Sequence, residues 1–320
     1  MTVKKLYSPI LIFLFSIFVY SCQNDFKNQS VSSKENSKSK NAIQARKLLD
    51  AGDKFYANQK FDSAYHHYSR SKILYELEKD SASLAYNLIQ MATSQQTYGD
   101  YVGSEKNLIE ALSITEQNSA YKAPAYNLLG ISSKELYNYE DALYYYNKAK
   151  SFASDSVGIV ASDNNIATVY MKMKKYDSSI KILESILNSS ILNTNNIRKA
   201  RVLDNLGYCY FKTKQSSEGF KLMTKSLTLR ETNKDFYGSI VSHLHLADYY
   251  QLINSQYSKK HAKQAYTTAT KLNSIDERLR SLSFLISNKL EKNPNTYVSD
   301  YIRLNDSIIK FRNNAKDQFI

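Results

Sequence analysis

From Ala42 to Lys271 the chain repeats itself, and this constrains its fold more than any other feature. The stretches NQKFDSAYHHYSRSK, YGDYVGSEKNLIEAL, LYNYEDALYYYNKAK and MKKYDSSIKILESIL share one pattern. An aromatic residue is followed three positions on by a small one, and four positions later by a large apolar one. Upstream of each lies another small residue, in the series Gly52, Ala92, Gly130, Ala167, Gly207 and Ala247, spaced 37–40 residues apart. The residue before each is Ala51, Met91, Leu129, Ile166, Leu206 and Leu246, apolar throughout. A unit this short cannot bury its own apolar face, so neighbouring units must stack.

Composition says which elements build the units. Eight Gly and three Pro in 320 residues are too few turn formers for an all-β chain of this size, and they favour long helices on short links. Tyr (27) and Phe (13) supply the bulk for the core in the absence of Trp.

The pattern resembles the tetratricopeptide repeat, a helix–turn–helix unit of about 34 residues. In that family a small residue on helix A meets a small residue on helix B. The resemblance places the second on Ala64, Ser104, Ala142, Ser179, Gly219 and Ala262, with Tyr68, Leu108, Tyr146, Leu183, Met223 and Tyr266 four residues further on. It implies an all-α fold, a right-handed α-solenoid of about six helix pairs over residues 42–273, with C-terminal helices over 274–320. The longer period predicts helices about a turn longer than the minimal unit. Repeats four and five match least well, and repeat six, LINSQYSKKHAKQA, reads as having a turn longer by three residues.

Beyond the repeats, Ile275 to Glu291 reads as a helix broken at Asn293-Pro294. Tyr297, Tyr301, Leu304, Ile308, Phe311 and Ala315 then follow at coiled-coil spacing. Two readings stand: a helix capping repeat six, or self-association through 297–315.

The N-terminus carries an address. Lys4 and Lys5 precede the apolar run Leu6–Tyr20, which has the length of a secretory segment and is short for a membrane span. Val19-Tyr20-Ser21-Cys22 resembles the lipobox of bacterial lipoproteins, with Tyr20 bulky for its place. The resemblance implies a signal peptide over 1–21, lipidation of Cys22, and an outer-membrane location in a Gram-negative envelope. An uncleaved anchor and ordinary cleavage are the alternatives. Residues 22–41, rich in Ser, Asn and Lys, read as a disordered tether.

No phosphate loop, nucleophile elbow, HExxH or CxxC motif occurs, which predicts a non-enzyme without cofactor or metal. Cys209 sits mid-helix and reads as a buried thiol. The formal net charge of +13 comes from scattered Lys, so nucleic acid is not the expected partner. The family resemblance puts helix A on a concave face, where Tyr56, Tyr86, Asn127, Lys134, Asn164, Asn165, Asp204, Asn205, Tyr208 and Asp248 are the candidate peptide-groove residues. Asn side chains there either hold a peptide backbone or join neighbouring repeats. The expected function is a lipid-anchored envelope scaffold binding an unidentified protein or peptide. The alternative is the sensor module of a split or truncated bacterial regulator.

Overall fold

The computed structural model describes residues 39–97, 99–115, 119–290 and 293–317. The expected signal peptide, the expected lipidation site Cys22 and most of the expected tether lie outside them. The described residues form fourteen α-helices and two short 3₁₀ turns. Six helix pairs run α1 (Lys40–Ala57) with α2 (Phe61–Leu77), α3 (Ser81–Thr97) with α4 (Tyr101–Ile114), and α5 (Lys122–Glu135) with α6 (Tyr139–Ser151). They continue with α7 (Ser156–Lys172) and α8 (Tyr176–Leu187), α9 (Asn196–Lys212) and α10 (Ser216–Thr232), and α11 (Phe236–Gln251) and α12 (Ser255–Lys271). Helices α13 (Ile275–Ser287) and α14 (Asn295–Asp317) end the chain. Each helix packs chiefly on its neighbours in sequence, as in a solenoid. The first helix begins at Lys40, where Ser39 caps it by accepting from the Ala42 N–H, two residues inside the expected tether. No helix of the described residues is long and apolar enough to cross a membrane.

The repeat columns form the core. Tyr68, Leu108, Tyr146, Leu183 and Met223 are fully buried. Their rings and chains fill the space left by the small column. A Cβ on Gly52 would stand 2.5 Å from the Tyr68 ring, and one on Gly130 would stand 2.6 Å from the Tyr146 ring. Repeat five goes further: a Cβ on Gly219 would meet the Gly207 carbonyl oxygen at 2.6 Å, so here backbone packs on backbone.

Scarce glycine did not limit the turns. Gln59, Lys79, Tyr137, Lys174, Lys214, Lys234, Asn273 and Lys289 all adopt left-handed φ between 50° and 70° just after a helix. The next residue then donates back over the last turn, as Lys175 N–H does to Tyr170 O and Gln215 N–H to Tyr210 O, both at 2.8 Å. Orphan carbonyls at the helix ends are thereby satisfied.

Two expectations are corrected. The turn of repeat six is not longer. It consists of Leu252, Ile253 and Asn254, and Asn254 caps α12 by accepting from the N–H groups of Gln256 and Tyr257. Helix α12 therefore starts early, and Ser258 takes the small position, fully buried with its Oγ donating to Ala247 O at 2.8 Å. Ala262 stands where the other repeats place their large residue. Likewise α13 ends at Ser287, four residues before Glu291, because Asn288 caps it and Lys289 turns left-handed.

Helix α14 lies against α13. Leu304 and Ile308 are buried, Tyr297 packs near Leu285, and Tyr301 faces outward. Asp300 ties three helices together: it accepts from Tyr266 Oη at 2.7 Å and from Arg278 at 3.0 Å. The seam is thus used within the chain as a cap; the side chains of Phe311 and Ala315 lie outside the described residues.

Candidate functional site: the concave wall

Successive A helices touch one another, α3 with α5, α5 with α7, α7 with α9, α9 with α11 and α11 with α13, whereas no successive pair of B helices makes a comparable contact. A stack that is closer on one side curves toward that side, so the A helices form the inner wall. The curve brings distant repeats into electrostatic range. Tyr56 of α1 feels Tyr237 of α11, and Glu135 of α5 feels Lys172 of α7 and Arg280 of α13.

The asparagines on this wall form a ladder between repeats. Asn165 Nδ2 donates to Asn127 Oδ1 at 2.8 Å, and Asn205 Nδ2 donates to Asn164 Oδ1 at 3.0 Å. In the next repeat the same two positions are His245 and Asp204, and His245 Nδ1 lies 3.0 Å from Asp204 Oδ2. The rule is geometric: the second residue of a pair reaches back to the first residue of the pair one repeat earlier. One repeat pair further toward the N-terminus, Gln96 Nε2 bridges to Leu128 O at 2.8 Å and Ser132 Oγ at 2.9 Å.

Asp204 is fully buried, and its carboxylate is answered from three sides. Ser242 Oγ donates at 2.9 Å, Arg230 Nη2 stands 3.6 Å away, and His245 completes the set. Burial alone would raise this carboxyl's pKa, but His245, Arg230 and the hydrogen bonds outweigh it and the net direction is down. Next to it, Tyr208 stacks on His245 with centroids 4.1 Å apart, and its hydroxyl donates to Asp248 Oδ2 at 2.8 Å. Lys212 pairs with the same carboxylate and lies over the Tyr208 and Phe211 rings.

The sequence-predicted residues therefore divide. Asn127, Asn164, Asn165, Asn205 and Asp204 spend polar atoms on neighbouring repeats, and Asn164, Asn205 and Asp204 are buried. Tyr208 and Asp248 bind each other but remain half-exposed. Lys134 pairs with Glu135 at 3.1 Å. Tyr56 and Tyr86 are half-buried beside Tyr68. Cys209 is buried with its Sγ 3.4 Å from Ser179 Oγ, and burial pushes the thiol up to about 11. Sequence reasoning missed Arg201, Arg230, His245, Glu277 and Arg280. His245 was reachable, since it lies one period beyond Asn205. The α13 residues were not, because only the curvature brings them inward.

Comparison with known proteins agrees with this architecture. Residues 158–232 match the family model for the tetratricopeptide repeat. These are helices α7 to α10, the two repeats that fit the family pattern least well by inspection. The apo form of RapI is similar, with a TM-score of 0.65, 16% identity, and coverage of 83% of this chain and 99% of that one. The Rap conjugation gene regulator of the plasmid pLS20, solved in complex with the Phr* peptide, also has a TM-score of 0.65, at 13% identity, covering 92% of this chain and 86% of its own. The APC/C hetero-tetramer Cut9-Hcn1 has a TM-score of 0.55 at 16% identity and covers 83% of this chain, which spans 46% of that one. A search of curated proteins finds no match. Residues 158–232 are tetratricopeptide repeats, and the described residues fold as an all-α solenoid of the kind these structures share.

Proposed function

We propose that this chain is a non-catalytic binding scaffold whose concave wall receives a peptide or protein segment, held at the envelope by a lipid on Cys22. The observation that carries the reading is the inner wall itself. Its A helices present charged and aromatic side chains, Tyr56, Lys134, Glu135, Lys172, Tyr208 and Asp248, which keep part of their surface in solvent. The likeness over nearly the whole length to a regulator solved with a peptide supports it. It also suits the second reading, a regulatory module whose state a bound peptide sets.

Peptide binding by the purified full chain tests the scaffold. An array of peptides with no specific binder would count against it. Cys22→Ser tests the anchor: the expected result is release from membranes into the soluble fraction, and retention there would favour an uncleaved apolar anchor.

A further inference from the structure

We propose that the outer face of the first two repeats rests on a lipid bilayer containing anionic lipids, an inference that rests on the lipid-anchored reading and names the surface the solenoid lies on. The B helices form the outer side of the stack. On α2 the exposed stripe reads Arg70, Ile73 and Leu77, and on α4 it reads Val102, Lys106 and Ile109. Spacings of three and four keep each set on one helix face. The four apolar side chains keep between 56% and 66% of their surface in solvent. Lys72 Nζ reaches from α2 to Glu110 Oε1 on α4 at 2.9 Å. Ile73 and Ile109 are the sequence neighbours of that pair, so the two stripes run side by side.

Among the B helices of the six pairs, exposed aliphatic side chains are confined to these two. At the places of Val102, Ile109 and Ile73, α8 has Asp177, Glu184 and Asn188, and α10 has Ser217, Thr224 and Thr228. Helices α6 and α12 expose one tyrosine each, Tyr144 and Tyr257. The apolar patch thus sits at the end of the stack that the N-terminal segment enters. Ser39 lies seventeen residues beyond Cys22. At no more than about 3.5 Å per residue, a lipid on Cys22 holds the first repeat within about 60 Å of the membrane. A tether raises the effective concentration of the surface, so a patch too small to hold a free protein suffices to orient a tethered one. The charges suit the same partner. Lys72 is engaged by Glu76 and Glu110, whereas Arg70 and Lys106 stand exposed within the apolar stripes. Their stems can lie along apolar surface while the charged ends meet lipid phosphates. A convex face with apolar and basic side chains interleaved is the composition of an interfacial helix surface.

The test places the full chain in vesicles of phosphatidylcholine with phosphatidylglycerol and reads an NBD fluorophore. Leu77→Cys puts the label on the proposed face, and Lys225→Cys puts it on the outer face of α10. The parent chain, treated alike, gives the background from Cys22 and the buried Cys209. Doxyl-labelled lipid should quench the label at position 77 about twofold or more beyond the label at position 225. Ile73→Glu with Ile109→Glu, both at exposed positions, should abolish that difference at unchanged melting temperature. Vesicles without phosphatidylglycerol should give a smaller difference, and an undiminished one would overturn the role given to Arg70 and Lys106. Equal quenching at the two positions, or indifference to the two glutamates, would overturn the docking face while leaving the anchor intact. A blue-shifted label at position 77 that doxyl lipid does not quench would assign the stripe to a protein, a second copy included, and overturn the bilayer. Cys22→Ser separates this inference from the anchored reading: retention on the vesicles with quenching unchanged would keep the docking face and remove the lipid on Cys22.

Discussion

Asn205 Nδ2 donates to Asn164 Oδ1 at 3.0 Å, and both side chains are buried between the inner helices of repeats five and four. Truncating one partner leaves the other without its bond in a site water does not reach. Asn205→Ala should cost about 1–3 kcal/mol of stability. Asn164→Ala with Asn205→Ala should cost less than the sum of the two single changes. Urea denaturation of the four proteins of the cycle measures this, and strict additivity would mean the bond contributes nothing.

Two equivalent tyrosines should behave differently. Tyr68 Oη donates to Asp53 at 2.9 Å, whereas repeat three has Ile131 at the place of Asp53 and the buried Tyr146 hydroxyl has no partner. Tyr68→Phe should destabilise by about 1 kcal/mol. Tyr146→Phe should be neutral or stabilising, since it removes an unsatisfied hydroxyl. Melting temperatures of the two variants decide the point; equal losses would sink the explanation.

The small columns set the helix spacing. Gly207→Ala places a methyl 2.8 Å from the Gly219 carbonyl oxygen, a backbone atom that cannot swing aside. Gly130→Leu drives a side chain into the Tyr146 ring. Each should destabilise by about 1–3 kcal/mol or more. Thermal unfolding that matches the parent protein would refute the assigned register.

Turn residues offer the opposite effect. Lys214 holds φ at 70°, a conformation that costs an L-residue about 1–2 kcal/mol and glycine almost nothing. Lys214→Gly should stabilise by about 0.5–1 kcal/mol after the added freedom of the unfolded chain is allowed for. Denaturation midpoints that fall rather than rise would count against a left-handed turn here.

Acid should unfold the protein in stages. Burial first, and then His261, 3.0 Å away between Nδ1 atoms, press His243 from 6.5 down to about 4, with Asp204 opposing. Between these values the unfolded chain holds more protons than the folded one. Stability is therefore full above about pH 6.5, falls toward pH 4 and levels off below. Asp204, whose pKa is lowered, adds a further loss as pH drops below the ordinary carboxylate range. His243→Gln should flatten the first stage in a plot of melting temperature against pH; an unaltered slope would refute the assignment.

The repeat was legible because its signal is local and recurs six times. Small and large residues at helical spacing have few alternatives once they are repeated every 37–40 residues. Repeat six misled because Asn254 as a cap competes with a left-handed turn, and no pattern of apolar residues shows which one is used. The coiled-coil seam left two readings open for a related reason: heptad spacing describes a helix with one apolar stripe and is silent on what covers that stripe.

The sequence by itself determined the helix pairs, their number and their order, since each depends on contacts within about forty residues. Only the tertiary structure decided what the inner wall presents. Curvature turned a column of asparagines into a ladder from repeat to repeat and carried Arg280 toward Glu135. Those outcomes follow from the spacing of neighbouring A helices, a quantity set by the packing of every pair in the stack and by no single residue along it.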